Sequence, residues 1–447
     1  MDVDVVVIGL GPGGEDAARR LAEAGLTVVG VERRLVGGEC PYFGCVPSKM
    51  MIRAADSLAE ARRVSGLAGA ADVRPDWTPV ADRIRDEATD DWDDRVAVER
   101  LETAGVTVVK AAGRLVGPGR VQAGPTTYDA RLGVVLNTGT EPAAPPIDGL
   151  ADTPYWTNRD AVRLAQLPGS LVVLGGGAIG LEMAQAFSRF GVSVTVVEAL
   201  ERILALEEPE SSRLIEGTLT REGVRVLTGA AVESVSYADG TFTLTVGDQR
   251  VSADKLLVSA GRRANLADLG LESVGLDPSA RVLEVDERMR AGDRLWGIGD
   301  ITGKGAYTHV SMYQADIAVR DILGQGGPDA DYRAVSRVTF TDPEVGSVGM
   351  TEKRARDAGL HIRVAVTDLG ASSRGWIARS EGLIKLVEDA DRGVLVGATS
   401  IGPSGGEVLS MLATAVHAQV PVDTLRTMHF AYPTYHRAVQ TALADLA

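Results

Sequence analysis

Two cysteines are all that this chain of 447 residues contains. A secreted scaffold held by several disulfides is therefore excluded. Structural zinc, which takes about four ligands, has no ligand set near them. The chain also lacks any run approaching the roughly 20 apolar residues of a membrane helix. No basic stretch leading into a long apolar run precedes the first apolar segment, so the expectation is a cytoplasmic protein without a secretory leader. Positive charge is not in excess either. The formal net charge is -15, which repels phosphate backbones and makes nucleic acid a poor partner. No tract is of low complexity. What remains is an ordinary globular mixture, 45% hydrophobic and 24% charged, with the length for two or three domains.

The main internal feature is a repeat. Val3–Ile8 is short and rich in β-branched residues. It runs into Gly9-Leu10-Gly11-Pro12-Gly13-Gly14, a helical pattern through Ala17, Leu21 and Ala24, a stop at Gly25, and a second strand at Thr27–Val31. The unit recurs as Leu171–Leu174, the glycine turn Gly175–Gly180, a helix through Leu181, Ala184 and Phe187 ending at Gly191, and the strand Val192–Val197. Each reads as the start of a βαβ unit. Two proline-containing or polar stretches, Glu141–Gly149 and Asp331–Arg337, read as connections. Beyond the second, strands at Val338–Phe340 and Leu383–Glu388 and helices at Glu407–His417 and Thr434–Leu446 give an α+β pattern.

In a βαβ unit the spacing GxGxxG has a physical purpose. The first glycine allows the tight turn, the second lets a pyrophosphate reach the backbone, and the third lets helix and strand pack closely. The helix N-terminus then offers unpaired N–H groups and partial positive charge. Gly9, Gly11 and Gly14 form the first such set, with Glu32 at the strand end to accept ribose hydroxyls. Gly175, Gly177 and Gly180 form the second, with Glu198 in the matching place. An acid there repels a 2′-phosphate and suits NADH. Arg202 lies near enough in sequence to meet a phosphate, which keeps NADPH open.

Both cysteines sit in Gly37-Gly38-Glu39-Cys40-Pro41-Tyr42-Phe43-Gly44-Cys45-Val46-Pro47-Ser48-Lys49. Four residues separate them, and the expectation is that both lie on one helix face, about one turn apart. A disulfide is compatible with that if the first turn deforms. A helix N-terminus and Lys49 would each lower a thiol pKa. The frame points to redox-active rather than buried structural thiols.

These motifs together resemble the flavoprotein disulfide reductases, the group of dihydrolipoamide dehydrogenase, glutathione reductase and mercuric reductase. The resemblance covers nearly the whole chain. It continues through Thr138-Gly139-Thr140, Gly261-Arg262, Gly299-Asp300 and Phe340-Thr341-Asp342-Pro343-Glu344. It implies an α/β fold of two Rossmann-like dinucleotide-binding domains and a C-terminal α+β dimerisation domain, assembled as a homodimer. The expected boundaries are an FAD-binding domain over 1–150, an NAD(P)-binding domain over 151–265, a return segment over 266–333 and an interface domain over 334–447. By the same resemblance, Gly9, Gly11, Gly14 and Glu32 bind the ADP half of FAD, and Asp300 its ribityl or phosphate region. Lys49 lies near the flavin ring. Gly175, Gly177, Gly180 and Glu198 hold the nicotinamide dinucleotide, with Glu182 near the nicotinamide. Thr138, Gly139, Gly261, Arg262 and His309 are further cofactor-binding candidates. Cys45 is implied as the thiol against the flavin and Cys40 as the interchange thiol facing a small-molecule electron acceptor.

One motif departs from the family pattern. Where typical members carry His-Pro-Thr-x-x-Glu, this chain has Tyr432-Pro433-Thr434-Tyr435-His436-Arg437. Tyrosine replaces the acid–base histidine and arginine the glutamate that orients it. A tyrosine, with an ordinary pKa of about 10, is a poor base at neutral pH but can donate a proton. Mercuric reductases also place a tyrosine there, yet carry a C-terminal cysteine pair that this chain lacks. A related reductive carboxylase replaces both positions as well. His436 is the candidate substitute base. His309 and His429 read more readily as packed or solvated. The expected activity is NAD(P)H-dependent reduction, through FAD and Cys40–Cys45, of a small disulfide or other thiol-reactive acceptor. A flavin-direct quinone reductase, a dithiol oxidase and a reductive carboxylase-like member are the alternatives. The Tyr432-Pro433 bond is a candidate for cis.

Overall fold

Each repeat unit folds as strand, glycine turn, helix and strand. In the computed structural model, which describes residues 1–446, the first comprises the strand Asp2–Ile8, the helix Pro12–Glu23 and the strand Val28–Glu32. The second comprises Ser170–Leu174, Ala178–Arg189 and Ser193–Val197. In both, the strands pair in parallel, Val7 beside Gly30 and Val173 beside Val196. The apolar runs are continuous rather than alternating because a parallel sheet is covered on both faces. Val5, Val6 and Val7 are accordingly fully buried.

The chain forms two bodies. The first is made of Met1–Ser48, Ala81–Ala143 and Gly261–Asp331. Its sheet runs Arg290–Gly292, Leu295–Gly297, Thr126–Leu136, Asp2–Ile8, Val28–Glu32, Val106–Lys110, with Gly113–Gly117 and Arg120–Ala123 attached through Thr126–Leu136. The helix Pro12–Glu23 packs on the late helix Thr308–Ile322, where a β-carbon on Gly13 would collide with Ser311. Residues more than 290 positions apart thus meet beside the first glycine turn.

The second body comprises Lys49–Val80, Ala144–Ala260 and Tyr332–Ala447. It holds a four-stranded parallel sheet in the order Arg225–Leu227, Ser193–Val197, Ser170–Leu174, Lys255–Val258, and a three-stranded antiparallel one over Ser234–Ala253. It also holds a five-stranded antiparallel sheet in the order Ser336–Thr339, Glu344–Gly349, Val394–Gly402, Leu383–Asp389, Ile362–Asp368. The helices Gly405–His417 and His436–Asp445 bury their apolar faces on that sheet, with Leu409, Leu412, Val439 and Leu443 in the shared core. The mixed α/β architecture and the α+β C-terminal segment are those expected. The last helix starts at His436 rather than Thr434, whose hydroxyl instead closes a turn on the Ala431 carbonyl. No helix among the described residues is long and apolar enough to cross a membrane.

Candidate active site

The two acids at the strand ends do the same thing in both units. Glu32 Oε2 accepts the Leu10 amide at 2.9 Å and Oε1 the Arg34 amide at 2.7 Å. Glu198 Oε2 accepts the Gly176 amide at 2.6 Å and Oε1 the Leu200 amide at 2.8 Å. Leu10 and Gly176 are the second residues of their glycine turns, so each carboxylate is locked to its own turn. The glycines divide by purpose. A β-carbon on Gly14 would run into the Gly9 carbonyl, and one on Gly180 into that of Gly175. One on Gly177 would meet nothing within 4 Å. Gly14 and Gly180 are packing requirements, whereas Gly177 leaves room at a helix N-terminus for a phosphate.

Arg202 is spoken for. Its guanidinium donates to the carbonyls of Leu204, Ala205 and Glu207 at 2.8–2.9 Å and to Ser212 Oγ at 2.5 Å. Both terminal nitrogens hold its own loop together, so the phosphate contact left open by the sequence has no support from this geometry.

The dithiol segment is fastened to the first turn by the Gly37 amide, which donates to the Leu10 carbonyl at 2.7 Å. The cysteines do not share one helix, contrary to the spacing argument. Cys40 lies in a four-residue helix, Glu39–Tyr42, and Cys45 opens a new one, Cys45–Leu67. The break falls at Phe43–Gly44. Both residues are present as thiols, in hydrogen-bond contact with each other. That bond, reinforced by burial, pushes the Cys40 thiol well above its ordinary value, while contact with Thr308 pulls the other way. The lowering expected from a helix N-terminus does not hold at Cys40, where the bond to Cys45 and burial act the other way. Thr308 Oγ1 also lies 3.5 Å from Cys45 Sγ. Sequence reading missed Thr308, since nothing local marks a residue 263 positions away.

A relay of hydrogen bonds links two candidates, Arg262 and Asp300, through Thr140 in the same body. Arg262 Nε donates to Thr140 Oγ1 at 2.7 Å, and that hydroxyl donates to Asp300 Oδ2 at 2.7 Å. Arg262 also lies 3.7 Å from the Glu39 carboxylate, next to Cys40. Thr138 Oγ1 donates to the Asn265 carbonyl at 2.8 Å, and Gly139 and Gly261 take positive φ values of 63° and 139°. His309 is exposed and stacks on Tyr307 with ring centroids 5.3 Å apart.

In the second body, Lys49 Nζ donates to Glu182 Oε2 at 2.9 Å. The other oxygen of Glu182, which is 5% exposed, accepts the Phe340 amide at 2.8 Å. The ammonium also stands 4.7 Å from the centre of the Phe340 ring. These residues were separate candidates in sequence. Tyr432 is 70% exposed, and the Arg437 guanidinium lies 5.8 Å from its ring centre. The Tyr432-Pro433 bond is cis. His436 is half-buried at the first position of its helix.

A family model described as pyridine nucleotide-disulphide oxidoreductase matches residues 3–320, and the dimerisation domain of the same family matches 335–443. The chain belongs to the pyridine nucleotide-disulphide oxidoreductase family. It is 33% identical over 462 residues to a mercuric reductase of Streptomyces lividans, covering 99% of this chain and 97% of the relative. It is 32% identical over 462 residues to a dihydrolipoyl dehydrogenase of Halobacterium salinarum, covering 98% and 95%. Among solved structures, LpdA from Mycobacterium tuberculosis aligns over 100% of both chains at 26% identity with a TM-score of 0.88. The Cu(II) complex of the HOCl-induced flavoprotein disulfide reductase RclA from Escherichia coli aligns over 99% of both at 25% identity with a TM-score of 0.86. This pyridine nucleotide-disulphide oxidoreductase is thus an enzyme of a family that binds FAD with a pyridine nucleotide. Its glycine turns fit such groups: each is tied to a strand-end acid, and Gly177 keeps space at a helix N-terminus.

Proposed function

We propose that this chain is an NADH-dependent reductase that passes electrons through FAD to Cys40 and Cys45 and on to a small thiol-reactive acceptor, as a cytoplasmic homodimer. The observation that carries this reading is the placement of the only two cysteines in one segment, fastened to the first glycine turn through Gly37 and Leu10, with Thr308 Oγ1 3.5 Å from Cys45 Sγ. Gly9, Gly11, Gly14 and Glu32 would hold the ADP half of FAD. Asp300, braced by Thr140 and Arg262, would hold its ribityl or phosphate region, with Thr138, Gly139, Gly261 and His309 nearby candidates. Gly175, Gly177, Gly180 and Glu198 would hold NADH. When bound, FAD supplies two-electron transfer between a nicotinamide and the sulfurs.

The residues of the chain do the rest. Glu182 is desolvated and fixed by the Phe340 amide, so it holds the Lys49 ammonium in one place. A fixed cation in such surroundings favours developing negative charge without having to reorganise. Cys40 must lose its proton before its sulfur attacks the acceptor, because the thiolate is the nucleophile. With tyrosine at 432, no base is supplied there, and the proton leaves to solvent. We therefore expect kcat/KM for a small disulfide to climb with pH above neutrality, by up to about tenfold per unit. The sign follows from the shift: a raised thiol pKa means a thiolate scarce at pH 7 and more abundant at pH 9. A flat pH–rate profile would contradict it.

The acceptor must be small enough to need no second cysteine pair, since Cys40 and Cys45 are the only cysteines. A small disulfide and a soft metal ion both meet that condition. A screen of both classes with NADH and with NADPH tests the reading, and turnover restricted to acceptors unreactive toward thiols would defeat it. For the nucleotide, Arg202→Met should leave the ratio of kcat/KM for NADPH to that for NADH unchanged while lowering thermal stability. A loss confined to NADPH would show that Arg202 binds the 2′-phosphate after all. A second reading, flavin-direct reduction of quinones, is favoured by the Tyr432–Arg437 pair. It requires Cys40→Ala to retain full quinone turnover and to lose nothing else.

A further inference from the structure

Asp90, Asp91 and Trp92 have φ values of 47°, 54° and 59°. They are the one run of consecutive non-glycine residues in the left-handed region among the described residues. Such residues cost free energy at every position, so a run of three persists only where its surroundings impose it. The turn follows a π-helix, Arg83–Ala88, a form that often marks functional sites. Thr89 closes that helix, its amide and hydroxyl both donating to the Ile84 carbonyl, and its Oγ1 accepts the Trp92 amide at 3.3 Å. The Asp91 amide donates to the Arg85 carbonyl at 2.7 Å.

The turn and the nearby Asp94 hold the dithiol segment at two points. Asp94 Oδ2 accepts the Val36 amide at 2.6 Å, just ahead of Gly37. The Trp92 indole Nε1–H donates to the Tyr42 carbonyl at 3.1 Å. Tyr42 is the last residue of the Cys40 helix. In an unbroken helix its carbonyl would serve the amide four residues on. Here the indole takes it from a position 50 residues away, at the point where the helix stops and Cys45 restarts it. Tyr42 itself is buried, which anchors this stretch of backbone.

We propose that Trp92 is a positioning residue for the dithiol: the left-handed turn presents its indole to the Tyr42 carbonyl and so maintains the helix break that keeps the two sulfurs paired. The inference rests on the reading that Cys40 and Cys45 cycle between disulfide and dithiol. That cycle consumes two electrons and two protons as the S–S bond breaks to two thiols. A restraint that holds one sulfur at the other raises their effective concentration and favours the disulfide.

The test equilibrates the FAD-loaded enzyme with mixtures of reduced and oxidised dithiothreitol, then counts alkylated cysteines by mass. Trp92→Phe keeps an aromatic ring and removes the N–H. The disulfide should become about tenfold easier to reduce, a midpoint about 30 mV less negative for this two-electron couple. Asp91→Gly relieves the steric cost of the turn and keeps the indole, so its midpoint should match the unaltered enzyme while its thermal stability rises. A Trp92→Phe midpoint equal to that of the unaltered enzyme overturns the proposal, as does an equal shift in Asp91→Gly. Should Trp92→Phe fail to fold, Thr89→Val removes the acceptor of the Trp92 amide. It should move the midpoint the same way, and an unmoved midpoint there overturns the proposal too. An unaltered enzyme whose cysteines never form a disulfide would instead defeat the underlying reading.

Discussion

Replacing Cys40 with alanine should lower NADH-dependent reduction of a small disulfide by at least about 10³-fold, the scale on which removal of a nucleophile acts. Cys40 is half-buried, and its proton is held by the bond to Cys45. On the proposed function it is the sulfur that attacks an acceptor once that proton leaves. No other cysteine is available to replace it. Because the flavin and nucleotide turns lie elsewhere in the sequence, the variant should keep its FAD and its capacity to consume NADH with a one-electron acceptor. Steady-state rates with the two acceptors, measured on one preparation, check both halves. Undiminished disulfide reduction would remove Cys40 from the reaction.

Replacing Lys385 with methionine should destabilise the protein by about 3–5 kcal/mol, as expected when one partner of a buried ion cluster is removed. Lys385 stands on the strand Leu383–Asp389, and its side chain is 2% exposed. Its ammonium meets Glu208 at 2.9 Å, Glu210 at 3.2 Å and Glu352 at 2.9 Å. Glu208 also accepts the Glu352 amide, so it has little freedom to turn toward water. Without the lysine, three carboxylates share a site that has lost its cation. Thermal unfolding at fixed protein concentration should show a midpoint about 3–5 °C lower. Adding Glu208→Gln should recover part of the loss, because a neutral amide needs no counter-charge.

The same cluster sets a pH dependence. The hydrogen bond from Lys385, then that from Arg356, holds the Glu352 carboxyl below its ordinary value. Its stabilisation is therefore present above the unfolded carboxyl pKa and lost as pH falls through the folded one. For Lys385, burial pushes its pKa down, but the bonds to Glu352 and Glu208 outweigh that and raise it. That contribution is present below the unfolded lysine pKa and lost only as pH rises through the folded one. In Lys385→Met the Glu352 part of the acid loss should shrink.

Much of this was legible in the chain. The two glycine turns, the acids Glu32 and Glu198 and the dithiol frame are local patterns, written within about 30 residues each. The alternation of strands after Asp331 likewise announced the α+β segment. What sequence could not supply was of two kinds. One was pairing across long separations: Lys49 with Glu182, Thr308 with Cys45, Lys385 with three glutamates. No periodicity records which side chains meet there. Lys385 even sits in a strand buried on both faces, where period-two reasoning has nothing to read. The other was local backbone choice. Cys40 and Cys45 were expected on one helix face, but five positions turn a helix about 140° past its starting face, and the helix itself breaks at Phe43–Gly44, where Trp92 takes the Tyr42 carbonyl. Asp90 and Asp91 look like ordinary solvated acids until their φ values are known.

The central claim is that electrons from NADH reach the sulfurs, and the scarcity of cysteine makes it directly countable. Air-oxidised, FAD-loaded enzyme is treated anaerobically with one equivalent of NADH per chain, denatured, and assayed for reactive thiols. The expected result is a change from no thiols to two per chain, since Cys40 and Cys45 are the only ones. If NADH is consumed and the thiol count does not change, the electrons stop short of the dithiol and the account is wrong.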